Sequence, residues 1–106
     1  MSNCRLLRQG DVLLTPAKHM EVDGLGEPAI DGRVILALDE ATGHHHSVAA
    51  KFAALFVLAS GARVLRVMQQ TALEHQEHAP IDLPAGDYVV TRQKEYNPSD
   101  VRQVAD

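Results

Sequence analysis

Hydrophobic residues in this chain occur in short runs that end near Gly, Pro, Asn or Asp, and several runs alternate with polar residues. Short alternating runs between close-set turn residues are typical of the strands of small β-barrels and sandwiches. The pattern, together with the histidine segment at 44–48, predicts an all-β fold: a small barrel or sandwich of about seven or eight short antiparallel strands. The main runs lie at 12–15, 34–38, 52–58, 64–68, 71–75, 81–83 and 88–95.

Turn and loop residues predict how these strands are connected. Pro16 is expected to end the first strand, and residues 17–32, which contain three glycines and a proline, are expected to form a long loop. Gly-Asp pairs precede two of the runs, at 10–11 and 86–87. Asp11 and Asp87 are therefore interpreted as turn residues rather than as paired carboxylates.

Two segments have a less regular pattern. The alanines before and within 52–58 would suit a helix, but the run at 64–68 follows directly, as a partner strand would. We therefore predict a strand at 52–58. Near the other end of the chain, Ser99 is suited to cap one short helical turn that extends to residue 104.

Composition favours one globular domain over residues 1–106, because 45% of the 106 residues are hydrophobic. The only cysteine, Cys4, cannot form a disulfide within the chain and is expected to be an inert thiol. The start of the chain lacks the apolar stretch of a signal peptide, and the longest apolar run, 52–59, is too short to cross a bilayer. We therefore expect a soluble, cytoplasmic protein that does not bind membranes.

Charge and the longest apolar run indicate which partners to expect. A net charge of -4 argues against a nonspecific nucleic-acid binder, which normally presents a basic face. The run at 52–58 is longer than so small a core needs, and small barrels often cover exposed strands by pairing across a two-fold axis. We therefore expect a homodimer that uses this run or a strand beside it.

Five of the six histidines fall in two short clusters, His44-His45-His46 and His75 with His78. Neutral imidazole is the commonest protein ligand of zinc, nickel, copper and iron. If residues 44–48 are extended, alternation places His44 and His46 on one face and His45 on the other. The second cluster can supply the remaining ligands, and we rank His75 and His78 above the neighbouring carboxylate.

These histidines predict a site for a divalent transition metal, with zinc as the first expectation, through His44, His46 and one or both of His75 and His78. Two or three histidines leave a coordination position open, which suits catalysis by activated water with Glu77 as proton acceptor. Two alternatives remain. The histidines can form an exposed polar loop, or they can belong to a noncatalytic interaction or regulatory accessory protein of a phage or mobile element.

The histidine pattern also resembles that of the cupins. The resemblance rests on His44-His45-His46, on His75 or His78, and on Pro-Ala-Gly before a strand at 84–86, and it covers roughly residues 34–92. It implies a small barrel that holds a metal between histidines and a carboxylate. The whole string additionally resembles a group of small bacterial and phage proteins that have no assigned activity.

Overall fold

Nine short β-strands form the regular structure in the computed structural model, which describes residues 6–22, 26–38 and 41–92. Every pairing between them is antiparallel, and these residues contain no helix, so the predicted all-β fold is confirmed. The described part accordingly offers no helix that could span a membrane. The strands are β1 (Leu7–Gln9), β2 (Val12–Ala17), β3 (Arg33–Leu38), β4 (His45–Ala49), β5 (Ala53–Val57), β6 (Arg63–Val67), β7 (Thr71–Leu73), β8 (Ile81–Leu83) and β9 (Gly86–Arg92).

The strands are arranged in three sheets. Five of them form one sheet in the order β1-β2-β9-β6-β5, while β3 pairs with β4 and β7 pairs with β8. The two small sheets are joined by one antiparallel bridge, because Ser47 on β4 and Glu74 after β7 exchange both of their backbone hydrogen bonds. The order of the large sheet brings the first strands of the chain beside the last.

The hydrophobic core is aliphatic apart from Tyr88 and takes side chains from all three sheets. Alternation is clearest on β2, where Val12 and Leu14 are fully buried and the intervening Leu13 is not. Burying such a side chain contributes about 1.5–3 kcal/mol, so this shared cluster is what holds the sheets together. It comprises Val12, Leu14, Val34, Leu36, Ala37, Val48, Ala53, Leu55, Leu65, Val67, Leu73, Leu83, Tyr88 and Val90.

Two arginines cap backbone carbonyls of β3, the outer strand of its small sheet. The guanidinium of Arg63 donates to the carbonyl of Leu36 at 2.8 Å, and that of Arg92 donates to the carbonyl of Leu38 at 2.9 Å. A strand edge with unpaired carbonyls is open to pairing with another chain. These contacts occupy part of that edge from within the molecule.

Pro16 does not end the first long strand, contrary to the prediction, because β2 continues to Ala17. The proline pairs opposite Tyr88 of β9 on one side of the strand. On the other side β1 extends only as far as Leu14. A proline lacks the backbone N–H that a neighbour on both sides would require, and among the described residues only β9 pairs opposite Pro16.

Asp87 is likewise not the turn residue that was predicted. It lies inside β9 with its side chain 4% exposed and accepts two hydrogen bonds of 3.0 Å from Arg66. A third bond, from the backbone N–H of Met20, ties the segment after β2 to the sheet. The hydrogen bonds from Arg66 lower the pKa of Asp87, and they outweigh the opposing effect of burial.

Several predictions fall outside the residues that the structure describes. They concern Cys4, the end of the last strand at 93–95, and the helical turn that begins at Ser99. The other predicted strands are present, although the predicted strand at 71–75 ends at Leu73 as β7 and does not include His75. They include the segment at 52–58, which forms β5, and the histidine segment, of which residues 45–49 form β4.

Candidate functional site

Four histidines come together where β4 meets the segment after β7. The bridge between Ser47 and Glu74 places His46 and His75, the residues next to these two, on adjacent lengths of backbone. Their ring centroids lie 4.3 Å apart. The turn at 76–78 then brings His78 back, with its ring 4.6 Å from that of His75.

His44 and His78 complete this group of rings. The centroid of His44 lies 5.6 Å from that of His75 in an edge-to-face contact, and His46 and His78 are nearly parallel at 6.0 Å. We call His44, His46, His75 and His78 the histidine cluster. His45 has no ring contact with these four residues, and it lines the cavity beside His75.

Gly10, in the turn between β1 and β2, lies directly against the rings of His78 and His46 in the histidine cluster. A β-carbon at this position would lie 2.7 Å from Nε2 of His78, closer than real β-carbons come, and 3.3 Å from Cε1 of His46, so the His78 ring would have to shift. The residue also has a φ of +59°, which favours glycine. The absence of a side chain here lets two imidazoles approach the turn.

Gln9 binds His46 from beneath the cluster. The Gln9 side chain is buried, and its oxygen lies 2.8 Å from Nδ1 of His46. Its nitrogen donates to the carbonyls of Leu73 at 3.0 Å and Ala79 at 2.9 Å. One amide therefore connects β1 to β4 and to both ends of the segment that carries His75 and His78.

Asp11 faces the other nitrogen of His46. Its Oδ1 lies 3.4 Å from Nε2 of His46, and its Oδ2 accepts a hydrogen bond of 3.1 Å from Arg92. Burial alone would raise the pKa of Asp11, but the hydrogen bond and positive charge of Arg92 outweigh it and the pKa is lowered. The carboxylate is consequently charged at neutral pH.

His46 and His75 are neutral at physiological pH. Burial, reinforced by neighbouring His75, lowers the pKa of His46 to about 4, although the charge of Asp11 acts in the opposite direction. The pKa of His75 is also lowered, by burial and then by His78 and His44. Neutral imidazoles retain a lone pair on one ring nitrogen, which is the form that binds metals.

Glu77 contacts two of the histidines. Its carboxylate lies 3.3 Å from Nδ1 of His44, and its backbone N–H donates to Nδ1 of His75 at 2.9 Å. Since Nδ1 of His75 accepts this bond, the proton of the neutral His75 ring is on Nε2. The Glu77 side chain is 63% exposed.

In the part of the chain that is described, no three His, Cys, Asp or Glu side chains have donor atoms arranged around a common metal position. The contacts of the histidine cluster give a physical reason. Its rings pack against one another, and the lone pair of Nδ1 of His75 already accepts a hydrogen bond. The four residues predicted as ligands are thus brought together, with their nitrogens not directed at one point.

A cavity of about 540 Å³ adjoins the histidine cluster at His75. Its polar walls are largely paired with each other: Arg33 binds Glu74 at 2.7 Å, and Gln76 accepts a hydrogen bond from the backbone of His45 at 2.8 Å. Nδ1 of His45 is buried without a hydrogen-bond partner among the described residues. The lining consists of Arg33, His45, Ser47, Glu74, His75, Gln76 and Pro80.

The contributions of Gln9, Gly10 and Asp11 to the histidine cluster were not predicted from the sequence. Asp11 lies in a turn, as predicted, and its carboxylate additionally faces His46. A glutamine in a short strand has no sequence pattern that predicts a buried partner. The Gly-Asp pair at 10–11 was the one feature that could have indicated this site. A glycine in a turn can also be required because another side chain approaches the backbone closely.

Comparison with known proteins identifies a family. The family described as Domain of unknown function (DUF8820) matches residues 8–93, and the chain therefore belongs to it. No curated protein and no solved structure matches the chain. The resemblance to the cupins accordingly stays a prediction.

Proposed function

We propose that this DUF8820 protein binds a divalent transition metal, zinc before other metals, through the histidine cluster. The observation that carries the proposal is the convergence of four imidazoles, from two segments about thirty residues apart, onto ring contacts of 4.3–6.0 Å. A solvated polar loop gives histidines no reason to pack ring against ring. Four imidazoles grouped in this way suit a transition metal once their rings turn towards it, since imidazole binds zinc, copper, iron and nickel well.

Charge and protonation support the same function. His46 and His75 have lowered pKa values, so that at neutral pH no proton competes for the lone pair of either ring. The carboxylates of Asp11 and Glu77 lie beside His46 and His44, where they add negative charge. Metal-binding histidines commonly give their other ring proton to a carboxylate or amide oxygen, and Glu77 is positioned to accept one from Nδ1 of His44.

Metal binding requires small ring movements. The His44 side chain is 28% exposed, so its ring has room to turn. For His75 to act as a ligand, either its proton must leave Nε2 or the N–H of Glu77 must release Nδ1. Bridging by a metal would offset the loss of one such hydrogen bond, which contributes only about 0.5–1.5 kcal/mol.

Catalysis is the further part of this proposal. The cavity beside His75 offers a small molecule a route to the histidine cluster. A metal with an open position would supply an activated water there. Glu77 is the residue we propose as proton acceptor, because its carboxylate is exposed and next to His44. The resemblance to the cupins, which hold a metal between histidines and a carboxylate, points the same way.

Thermal unfolding of the metal-free full chain tests the proposal. Zinc, nickel, manganese or iron(II) at one hundred times Kd should stabilise the fold by about 2.7 kcal/mol, which raises Tm by about 10 °C. Magnesium, which prefers oxygen ligands, should have little effect. A His46→Ala and His75→Ala double variant should lose the zinc effect. No shift with any of the four transition metals would overturn metal binding and favour the noncatalytic interaction module instead.

A further inference from the structure

We propose that Asp11 is the carboxylate ligand of this metal and that Gln9 positions His46 for it by keeping the ring proton on Nδ1. The inference rests on the metal-binding function proposed above. It adds Gln9, at the end of β1, and Asp11, in the turn that follows, to the histidines. The role of Gln9 can be measured without metal.

The orientation of the Gln9 amide is fixed by its partners. Carbonyl oxygens only accept hydrogen bonds, so the group that faces the carbonyls of Leu73 and Ala79 must be the NH₂ of Gln9. A flipped amide would place its oxygen against both carbonyls inside the protein. The oxygen of Gln9 must therefore face Nδ1 of His46, which lies 2.8 Å away.

This orientation determines the tautomer of His46. Nδ1 has to carry the proton, because a lone pair there would face the buried oxygen of Gln9 with no donor between them. A neutral ring then has its lone pair on Nε2, the nitrogen that faces Asp11. Amide and carboxylate oxygens that hold Nδ1–H in this way are the usual outer contacts of metal-binding histidines.

Nε2 of His46 and Oδ1 of Asp11 are thus two acceptors that face each other at 3.4 Å. Arg92 binds the other oxygen of Asp11, which keeps the carboxylate charged and directs Oδ1 towards the ring. A proton or a metal ion between the two atoms would make this contact favourable. Gln9 holds one ring proton on the opposite nitrogen, and a second proton would turn the buried His46 ring into a cation, which burial disfavours. The geometry therefore points to a metal ion.

Nitrogen NMR of the His46 ring in the metal-free full chain tests the role of Gln9. The wild-type protein at neutral pH should have a protonated Nδ1 and an unprotonated Nε2. In a Gln9→Met variant, which keeps the side-chain length and removes the acceptor, the proton should move to Nε2 and bond to Asp11. A wild-type ring protonated at Nε2, or a Gln9→Met ring with the wild-type tautomer, would overturn the positioning role.

Zinc affinity of the full chain tests both residues. Gln9→Met should lower it by about 10–100-fold, the usual effect of losing an outer contact of a ligand. Asp11→Asn should lower it by at least about tenfold, whereas Asp82→Asn, at an exposed position on β8, should leave it unchanged. Equal affinities of wild type and Asp11→Asn would overturn the ligand role of Asp11.

The two measurements separate this inference from the function on which it rests. If wild-type protein binds no zinc, the proposed function fails and the ligand role of Asp11 fails with it. The tautomer of His46 and its change in Gln9→Met would still establish the positioning role of Gln9. If the protein binds zinc but His46 has its proton on Nε2, the proposed metal-binding function stands and the positioning role of Gln9 fails.

Discussion

Ser47 and Glu74 exchange two backbone hydrogen bonds of 2.9 Å each, and each histidine of the cluster lies within four residues of one of them. This single bridge joins the sheet of β3 and β4 to the sheet of β7 and β8. It turns two histidine segments that are distant in sequence into one group of rings. The histidine cluster therefore exists because these two small sheets meet at the Ser47–Glu74 bridge.

Alternation along β4 predicts unequal roles for its neighbouring histidines. His44→Ala and His46→Ala should each lower zinc affinity by at least about tenfold, because both rings belong to the histidine cluster. His45→Ala is the matched control and should leave affinity unchanged, since its ring is not among the four that contact one another. Calorimetric titration of the three variants gives the comparison, and equal losses in all three would contradict it.

Because Gly10 lies close to His78, replacing it with alanine should have a larger effect than the same replacement at Gly61. Gly10→Ala and Gly61→Ala both place a side chain at positive φ, which costs about 1 kcal/mol. Only at position 10 would the new β-carbon contact a histidine, since nothing lies within 4 Å of the corresponding position at Gly61. Gly10→Ala should therefore be the more destabilising in urea and should also weaken zinc binding. Similar results for the two variants would show that Gly10 is needed only for its turn.

The free energy of unfolding of the metal-free protein should decrease as the pH is lowered from about 6.5 to about 4. His46 has its pKa lowered to about 4 in the folded state, from a usual value of 6.5, so the unfolded chain binds the proton more readily in this interval. Above about pH 6.5 the neutral His46 does not lower the free energy of unfolding. By about pH 4 protonation of His46 in the unfolded chain has reduced it by about 3 kcal/mol. The lowered pKa values of Asp11 and Asp87 act at lower pH, because both lie below 3.8.

Urea unfolding at a series of pH values, with a chelator present, measures this dependence. His46→Leu should have a shallower loss of stability over the same interval, because the titrating ring is absent. A wild-type free energy of unfolding that stays constant from pH 6.5 to 5 would contradict the burial of a neutral His46.

The homodimer, through the run at 52–58 or a strand beside it, stays a prediction, and β5 is the strand on which it can be tested. This strand is an edge of the large sheet, and Val57 on it is 44% exposed. We expect light scattering at tens of micromolar to give twice the chain mass of 11.5 kDa. Val57→Lys should produce monomers, while Leu6→Lys, which is exposed beside the opposite edge, should not. A wild-type mass near 11.5 kDa would contradict the dimer and leave the metal proposal unaffected.

The strands could be predicted because their signal is local. Val12 and Leu14 alternate with less buried residues, and the runs at 52–58 and 64–68 are close enough to pair directly. Pro16 was assigned wrongly for a nonlocal reason: in the described part of the chain β2 is paired on only one side at this position, and a proline is tolerated there. Which strand ends first cannot be read from the residues around the proline.

The histidine cluster was predictable in part. The sequence indicated that His44 and His46 share a face and that His75 and His78 are near each other, since both statements follow from spacing. The Gln9 side chain reaches carbonyls that are 64 and 70 residues away, and such contacts arise only from the packing of β1. For the same reason, Asp87 was interpreted as a turn residue although it binds Arg66 inside the sheet.

Metal content of the untagged protein, purified without nickel resin, tests the central claim most directly. Elemental analysis of the full chain should find about one transition metal per chain, zinc where supply is not controlled, and a His46→Ala variant prepared in parallel should contain much less. Wild-type protein with no bound metal, which also takes up none after dialysis against zinc, would contradict the account.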